Sequence, residues 1–226
     1  MDIQTLNPAS VKGCRLCGGP AARLDAPLGN KNLSYARCER CGYVGLDPEH
    51  FPGAEEEKKR YLLHRNSPSD PGYLRYLQEF LDLAVLPYLA PGARALDFGS
   101  GPAPVLSSLL ESAGFGCDCF DPFFLPDLSW QDRTYDAILL HEVAEHLHDP
   151  ARTLLELAPR LAPRGIIAIR TRVPPADAES FRTWWYRMDP THVGFFTPKS
   201  LEMVFTAVGL HSVQCSLTDC IVLRRT

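Results

Sequence analysis

The chain has 226 residues, 45% of them hydrophobic and 22% charged, with a net charge of −4. That is the composition of an ordinary globular protein and excludes a chain too polar to build a core. No apolar run approaches the roughly 20 residues of a membrane helix, and the start MDIQTLNPAS lacks the basic and apolar stretches of a secretory leader. A cytoplasmic protein with no membrane partner is expected. The negative charge speaks against a dedicated nucleic-acid binder. It is uneven, however: between Val11 and Gly45 six basic residues stand against two acids, a local excess that metal-bound thiolates would reduce to about +2.

Two CxxCG units, CRLCGG (14–19) and CERCGY (38–43), are separated by twenty residues. A CxxC turn presents two sulfurs to one ion, and the glycine after it lets the chain fold back beneath the metal. The spacing is that of a zinc ribbon. Cys14, Cys17, Cys38 and Cys41 are therefore expected to hold a structural Zn²⁺, four thiolates leaving no open position for chemistry. Disulfides are the rival reading, which an intracellular chain disfavours. Cys117, Cys119, Cys215 and Cys220 read as small apolar side chains.

This module is expected over 1–47, followed by a linker over 48–70 with a charged surface helix in AEEEKKRYLLHRN (54–66). A second domain over 71–226 opens with a helix whose apolar residues Leu74, Leu77, Leu81 and Val85 keep helical spacing. Strands and helices then alternate. Strands are predicted at 94–99, 117–121, 135–140 and 166–171, helices at 103–114, 151–165 and 197–210, and a final hairpin at 211–217 and 220–225. Such alternation implies an α/β fold with a mainly parallel sheet covered on both faces. FFLPDLSWQDRT (123–134) is too short and broken for a full strand–helix unit.

LDFGSGPAP (96–104) follows the first of these strands and opens a helix. Gly99 and Gly101 permit a tight turn whose N–H groups approach a ligand at the helix start. A dinucleotide fingerprint would need a third glycine, where Pro104 stands, and would not place Asp97 beside a pyrophosphate. Asp121 ends the next strand, where an acid accepts ribose hydroxyls. Acids flanking a two-glycine turn suit a nucleoside that carries an ammonium and a sulfonium.

On these residues the sequence resembles the class I S-adenosylmethionine-dependent methyltransferases, over roughly residues 70 to 226. LDFGSGPAP is similar to their first motif, CFDPF to their second, and the C-terminal hairpin to the antiparallel edge of their sheet. The resemblance implies a Rossmann-like, mainly parallel seven-stranded sheet and S-adenosyl-L-methionine as cofactor. It further implies that Asp97, Gly99, Ser100, Gly101, Asp121 and His141 contact that cofactor.

HEVAEHLHDP (141–150) follows the strand YDAILL. By the resemblance, this strand end faces the transferred methyl. Glu142, Glu145 and His146 are spaced i, i+3, i+4 and share one face if the turn is helical. Carboxylates and an imidazole so placed could hold a hard or borderline divalent ion, with His192 of RMDPTHVGFF (187–196) as a further ligand. The set is similar to that of two methyltransferase branches, the ubiquinone-type catechol O-methyltransferases and the small-RNA 3′-terminal 2′-O-methyltransferases. In the RNA branch the corresponding four residues hold a divalent metal. The plainer readings are dipole compensation for Glu142 and Glu145, and for His192 a lone general base or a structural hydrogen bond. His148 and Asp149 read as turn and helix cap.

FRTWWYRMDPTH (181–192) interleaves aromatic residues with Arg182 and Arg187 and reads as a lid with one or two rings lining the acceptor pocket. Tyr61, His64 and Asn66 are placed to approach from the linker. The expected activity is methyl transfer to an oxygen or nitrogen of a small-molecule acceptor, with Glu142, Glu145, His146 and His192 in catalytic roles. An RNA acceptor contacted by the zinc ribbon, or a non-catalytic cofactor-binding scaffold, are the alternatives.

Overall fold

The computed structural model describes residues 13–63 and 67–226. The cysteine-bearing segment forms three strands, β1 (Ala21–Asp25), β2 (Ser34–Cys38) and β3 (Val44–Leu46), paired antiparallel in that order. A short helix, α1 (Ala54–Tyr61), occupies the first part of the expected 54–66 helix. The next, α2 (Pro71–Phe80), starts where Asp70 accepts the Gly72 and Tyr73 amides and Pro71 fixes the first turn. It runs on into a π turn over Leu81–Val85.

The main sheet follows with β4 (Arg94–Phe98), α3 (Val105–Ser112), β5 (Gly116–Phe120), β6 (Tyr135–His141), α4 (Pro150–Leu157) and β7 (Leu161–Arg170). After α5 (Ala178–Thr183), the two-residue strand β8 (Gly194–Phe195) and α6 (Pro198–Thr206), the chain closes with β9 (Leu210–Val213) and β10 (Cys220–Arg225). The strand order is β5-β4-β6-β7-β10-β9. The first three pairings are parallel and the two involving β10 antiparallel. This is the expected methyltransferase-like α/β arrangement.

One helix end and one strand depart most from the sequence expectation. The helix expected over 151–165 stops at Leu157, because Pro159 seats a tight turn over Ala158–Arg160 and the chain enters β7 at Leu161. The seven-stranded sheet has six strands among the described residues. Between β5 and β6 stands a 3-10 turn over Leu128–Asp132 whose buried Trp130 packs 5.5 Å from both Phe98 and Phe120. Pro122 and Pro126 in the preceding segment cannot donate to a ladder.

Alternation along the strands sends side chains to two cores. Leu96, Ile138, Leu140, Ile167 and Ile169 meet Leu154 of α4 and Leu201 and Phe205 of α6 on one face. Ala95, Ala137, Leu139, Ile166 and Ala168 meet Leu77 and Phe80 of α2 and Leu110 of α3 on the other. The cysteine module packs on the α6 side, where Leu16 and Tyr43 join the first core. A third core is shared: Leu24, Tyr35, Val44 and Leu46 of the module enclose Phe181, Tyr186, Val193 and Phe195. β8 completes the module's sheet by pairing with β3, Val44 opposite Phe195. No described helix is long and apolar enough to cross a membrane.

Candidate active site

The end of β4 makes a turn that only glycine accommodates. Gly99 has φ +84° and its N–H donates to the Phe120 carbonyl at 2.7 Å. A Cβ there would lie 2.6 Å from a methyl of Val143, so the turn and the segment after β6 are in close contact. Gly101, at φ +68°, donates its N–H to Asp121 Oδ2 at 3.0 Å. Asp121 Oδ1 accepts the Phe123 and Phe124 amides at 2.8 and 3.1 Å. The carboxylate expected at the ribose thus also braces the glycine turn.

Asp97 is 4% exposed, and burial, helped by Cys119 and Asp121, pushes its carboxyl up to about 8. Tyr73 of α2 stands near enough that Asp97 adds to the burial that raises its hydroxyl to about 12. His141, at the end of β6, lies edge-on between Tyr76 and Phe80 at 4.9 and 5.0 Å. Burial, then the charge of Arg170, holds it neutral, down to about 3. His141 Nε2 and Ser100 Oγ are both buried without a hydrogen-bond partner. Buried polar atoms are rarely left so. A polar ligand above the Gly99–Gly101 turn would satisfy both, so the residues present fit a nucleoside–amino-acid cofactor.

Glu142 has φ +56°, a conformation costing a non-glycine residue of order 1–3 kcal/mol and found mostly where function demands it. The turn after it is a 3-10 turn over Ala144–His146 rather than the α-helical turn assumed from the spacing. Glu142 therefore does not join the others directly. Glu145, His146 and His192 bring one ligand atom each within 4.8 Å of one another. Glu142 is linked to them through Tyr186, whose hydroxyl is 2.9 Å from Glu142 Oε2 and also donates to Glu145 Oε1. Tyr76 donates to Glu142 Oε1 at 2.7 Å and Thr171 to Glu145 Oε2 at 2.8 Å.

A phenol has one proton to donate, yet Tyr186 touches two buried carboxylates. One of the pair must be protonated, or a cation must balance it. Burial, followed by the charge of Glu145, raises Glu142 to about 7. Burial alone does most of this for Glu145, also to about 7, against the hydrogen bond from Tyr186.

His146 Nδ1 lies 3.0 Å from the Thr191 carbonyl and His192 Nδ1 2.6 Å from the Tyr186 carbonyl. A carbonyl only accepts, so Nδ1 is the donor in each ring, and in the neutral ring the lone pair is on Nε2. This is the second-sphere arrangement typical of metal-ligating histidines. With one carboxylate and two so-oriented imidazoles, the donor set fits a divalent ion.

Of the aromatic loop, Phe181 and Trp184 pack into the shared core, Tyr186 enters the site and Trp185 stays outside. Tyr61 lies edge-on to His146 at 5.1 Å; His64 and Asn66 fall outside the described residues. Asp149 caps α4 as expected, accepting Arg152 N–H at 3.3 Å, while His148 pairs with Glu57 at 2.9 Å. Tyr73, Tyr76, Thr171 and Tyr186 carry no individual signal in the sequence; the first two reach the site from α2, Thr171 from the end of β7 and Tyr186 from the turn after α5.

The four cysteine sulfurs also lie within 4.8 Å of one another, 3.8 Å for Cys14–Cys41 and 3.6 Å for Cys17–Cys38. Ligands about 2.3 Å from a tetrahedral Zn²⁺ are about 3.8 Å apart. The Leu16 and Cys41 amides point at the Cys14 and Cys38 sulfurs, both at 3.4 Å, which suits thiolates. The cluster is compatible with structural zinc.

A family model described as a methyltransferase domain matches residues 71–214. The chain belongs to this methyltransferase family. Among curated proteins no match was found. Solved structures similar to the methyltransferase include CalO1, a methyltransferase in calicheamicin biosynthesis, in its S-adenosylhomocysteine-bound form. It is 17% identical, with 68% of this chain and 56% of that chain covered and a TM-score of 0.48. An O-methyltransferase family protein from Burkholderia thailandensis is 15% identical over 68% of this chain and 57% of its own, at a TM-score of 0.51. A SAM-dependent methyltransferase from Archaeoglobus fulgidus is 15% identical over 67% and 94%, at 0.50. The chain spans a little over half the length of the first two. At these identities the likeness to the Burkholderia and Archaeoglobus proteins is one of fold alone.

Proposed function

We propose that this methyltransferase moves the methyl group of S-adenosylmethionine to an oxygen or nitrogen of a small-molecule acceptor. The acceptor would bind between the Gly99–Gly101 turn and the Glu145, His146 and His192 cluster. The observation that carries this reading is the pair of imidazoles held with Nδ1–H on carbonyls beside a buried carboxylate. Bound cofactor supplies a sulfonium methyl: the acceptor's lone pair forms the new bond to carbon while the carbon–sulfur pair stays on sulfur.

The chain's part is positioning and proton transfer. The Gly99–Gly101 turn and Asp121 hold the nucleoside. Asp97, behind the turn, would meet the ammonium group, and the cofactor would offer partners to Ser100 Oγ and His141 Nε2. Glu145, His146 and His192 would hold a divalent ion, and such an ion would supply Lewis acidity at the acceptor atom. Glu142, oriented by Tyr76 and Tyr186, takes up the acceptor's proton, its raised affinity suiting a base that works near neutral pH. The four N-terminal cysteines hold Zn²⁺ as a structural ion.

The use of the module's arginines favours a small acceptor over RNA. Arg15 donates to the His148, Leu46 and Val193 carbonyls, Arg37 to the Pro175 and Ala176 carbonyls, and Arg23 pairs with Asp25. Arg15 and Arg37 are thus spent within the chain rather than arrayed for phosphates, while Arg23 and Arg40 are exposed.

The test is transfer of label from methyl-tritiated S-adenosylmethionine into an extract from cells lacking the protein, separated into RNA, protein and small-molecule fractions. Chelated enzyme is compared with enzyme resupplied with Mg²⁺ or Mn²⁺. Label in the small-molecule fraction that depends on added metal and disappears with Asp97→Ala and His192→Ala supports the reading. Label in RNA, or transfer indifferent to both substitutions, overturns it.

A further inference from the structure

The cysteine module contributes no side chain to the cofactor turn or to the acceptor-side cluster, yet its hydrogen bonds lead to that cluster. Arg15 stands between Cys14 and Cys17 on the first cysteine turn. Its guanidinium reaches three carbonyls: Nη1 donates to His148 at 2.8 Å, and Nη2 to Leu46 at 3.0 Å and Val193 at 3.2 Å. Two of these acceptors flank the acceptor-side cluster. His148 lies two residues beyond His146, and Val193 directly follows His192. Val193 in turn donates its N–H to the Glu145 carbonyl at 2.8 Å, and its carbonyl also accepts Leu46 N–H at 2.9 Å.

The second cysteine turn grips the other end of the same segment. Thr197, the cap of α6, donates its hydroxyl to the Cys41 carbonyl at 2.7 Å. A Cβ on Gly42 would come within 3.0 Å of the Thr197 methyl, and the Tyr43 ring packs 5.0 Å from Phe196. Between these two anchors β8 pairs with β3 of the module. The chain from Val193 to Thr197 is thus held at both ends and in the middle by the elements that carry the four cysteines.

We infer that Arg15 is a positioning residue of the active site, through which the four-cysteine module fixes the relative placement of Glu145, His146 and His192. The inference rests on the reading of those three as the acceptor-side cluster. The reason lies in the chemistry of the fork. A guanidinium presents five donors in one plane and can hold several carbonyls at once, which a lysine ammonium on a flexible stem does not reproduce. Glu145 and His146 belong to the segment ending at His148, His192 to the segment ending at Val193, and Arg15 is bonded to both. Each imidazole rests its Nδ1–H on a carbonyl of residues 186–191. Without the fork the two segments keep the Val193 N–H to Glu145 carbonyl and His146 to Thr191 carbonyl bonds and the Tyr186 contact between them, and the common orientation of the rings loosens.

The test compares the full chain with Arg15→Ala, Arg15→Lys and His192→Ala. Long-range proton–nitrogen spectra of the histidine rings give the tautomer of His146 and His192 directly. Wild type is expected to hold both on Nδ1. In R15A, with metal content at the cysteines and affinity for S-adenosylhomocysteine kept, both rings become tautomer mixtures and Mn²⁺ affinity falls by about 10–100-fold, the usual effect of removing a second-sphere support. R15K recovers part of both. Should R15A lose its zinc or fail to fold, R15K decides, since it keeps charge and stem but not the fork: its ring signals must shift toward the mixture. Unchanged tautomers and Mn²⁺ affinity in the folded variants overturn the inference. Wild type that shows both Nδ1–H rings but binds no Mn²⁺, or binds it equally well as His192→Ala, removes the metal reading, and the tautomer comparison still decides the role of Arg15.

Discussion

Glu142 and Tyr186, 44 positions apart in sequence, meet at 2.9 Å, and the same phenol also donates to Glu145. One hydroxyl thereby organises two buried carboxylates that both take up protons near pH 7 rather than at the usual 4.5. Because the hydrogen bond favours the ionised forms, Tyr186→Phe raises both values further. The folded protein then binds protons that the unfolded chain has already lost, so the penalty grows as pH rises from the unfolded value through the folded one. The variant should lose about 1.5–3 kcal/mol of stability at pH 8, the range for hydrogen bonds to charged groups. Near pH 5 the loss is smaller. Urea unfolding at the two pH values checks the difference.

Asp97 gives the cofactor site its own pH signature. With the free carboxyl raised to about 8 by burial, it is largely protonated at neutral pH. An ammonium beside it favours the ionised form, so binding of S-adenosylhomocysteine expels a proton. Affinity should increase with pH and level off above about 8, with a slope of at most about tenfold per unit. Asp97→Asn flattens the dependence. Calorimetry in buffers of different ionisation enthalpy counts the proton.

The two glycines of the turn are not equivalent. Both have positive φ, costing an alanine about 1–2 kcal/mol. An added Cβ meets Val143 at Gly99 and open space at Gly101. Gly99→Ala should therefore destabilise the protein more and weaken S-adenosylhomocysteine binding further than Gly101→Ala. Thermal unfolding and calorimetry on the two variants read both effects.

Loss of one cysteine should release the proposed structural ion and loosen more than the module. Cys38→Ser is expected to purify with less than one equivalent of zinc and to unfold earlier, by about 2–4 °C for each kcal/mol lost. Since Tyr186 and Val193 share a core with the module, protection of their amides against hydrogen exchange should fall too. Elemental analysis and exchange mass spectrometry test the two halves of this statement.

Much of this architecture can be read from the sequence because it depends on local signals. The CxxCG pairs, Asp70–Pro71 and the apolar strands act through neighbours a few residues away. So do Gly99 and Gly101, whose conformations the tight turn after a strand already implies. What depends on distant chain is not readable. The spacing of Glu142, Glu145 and His146 suggests one helical face, but Glu142 is in the left-handed region, and only packing against Tyr76 and Tyr186 makes that tenable. β8 is two residues long, too short for any periodicity. Arg15 counts in the sequence only as positive charge, whereas its three carbonyl partners lie up to 178 positions away. The strand missing between β5 and β6 is the reverse case, since its weakness shows in the two prolines.

The most direct measurement is a crystal structure of the chain with S-adenosylhomocysteine and Mn²⁺, with anomalous data at the manganese edge. The account predicts the nucleoside over Gly99–Gly101 with Asp121 at its ribose, and a manganese peak ligated by Glu145, His146 and His192. A cofactor bound away from that turn, or manganese found anywhere but between those three side chains, would contradict it.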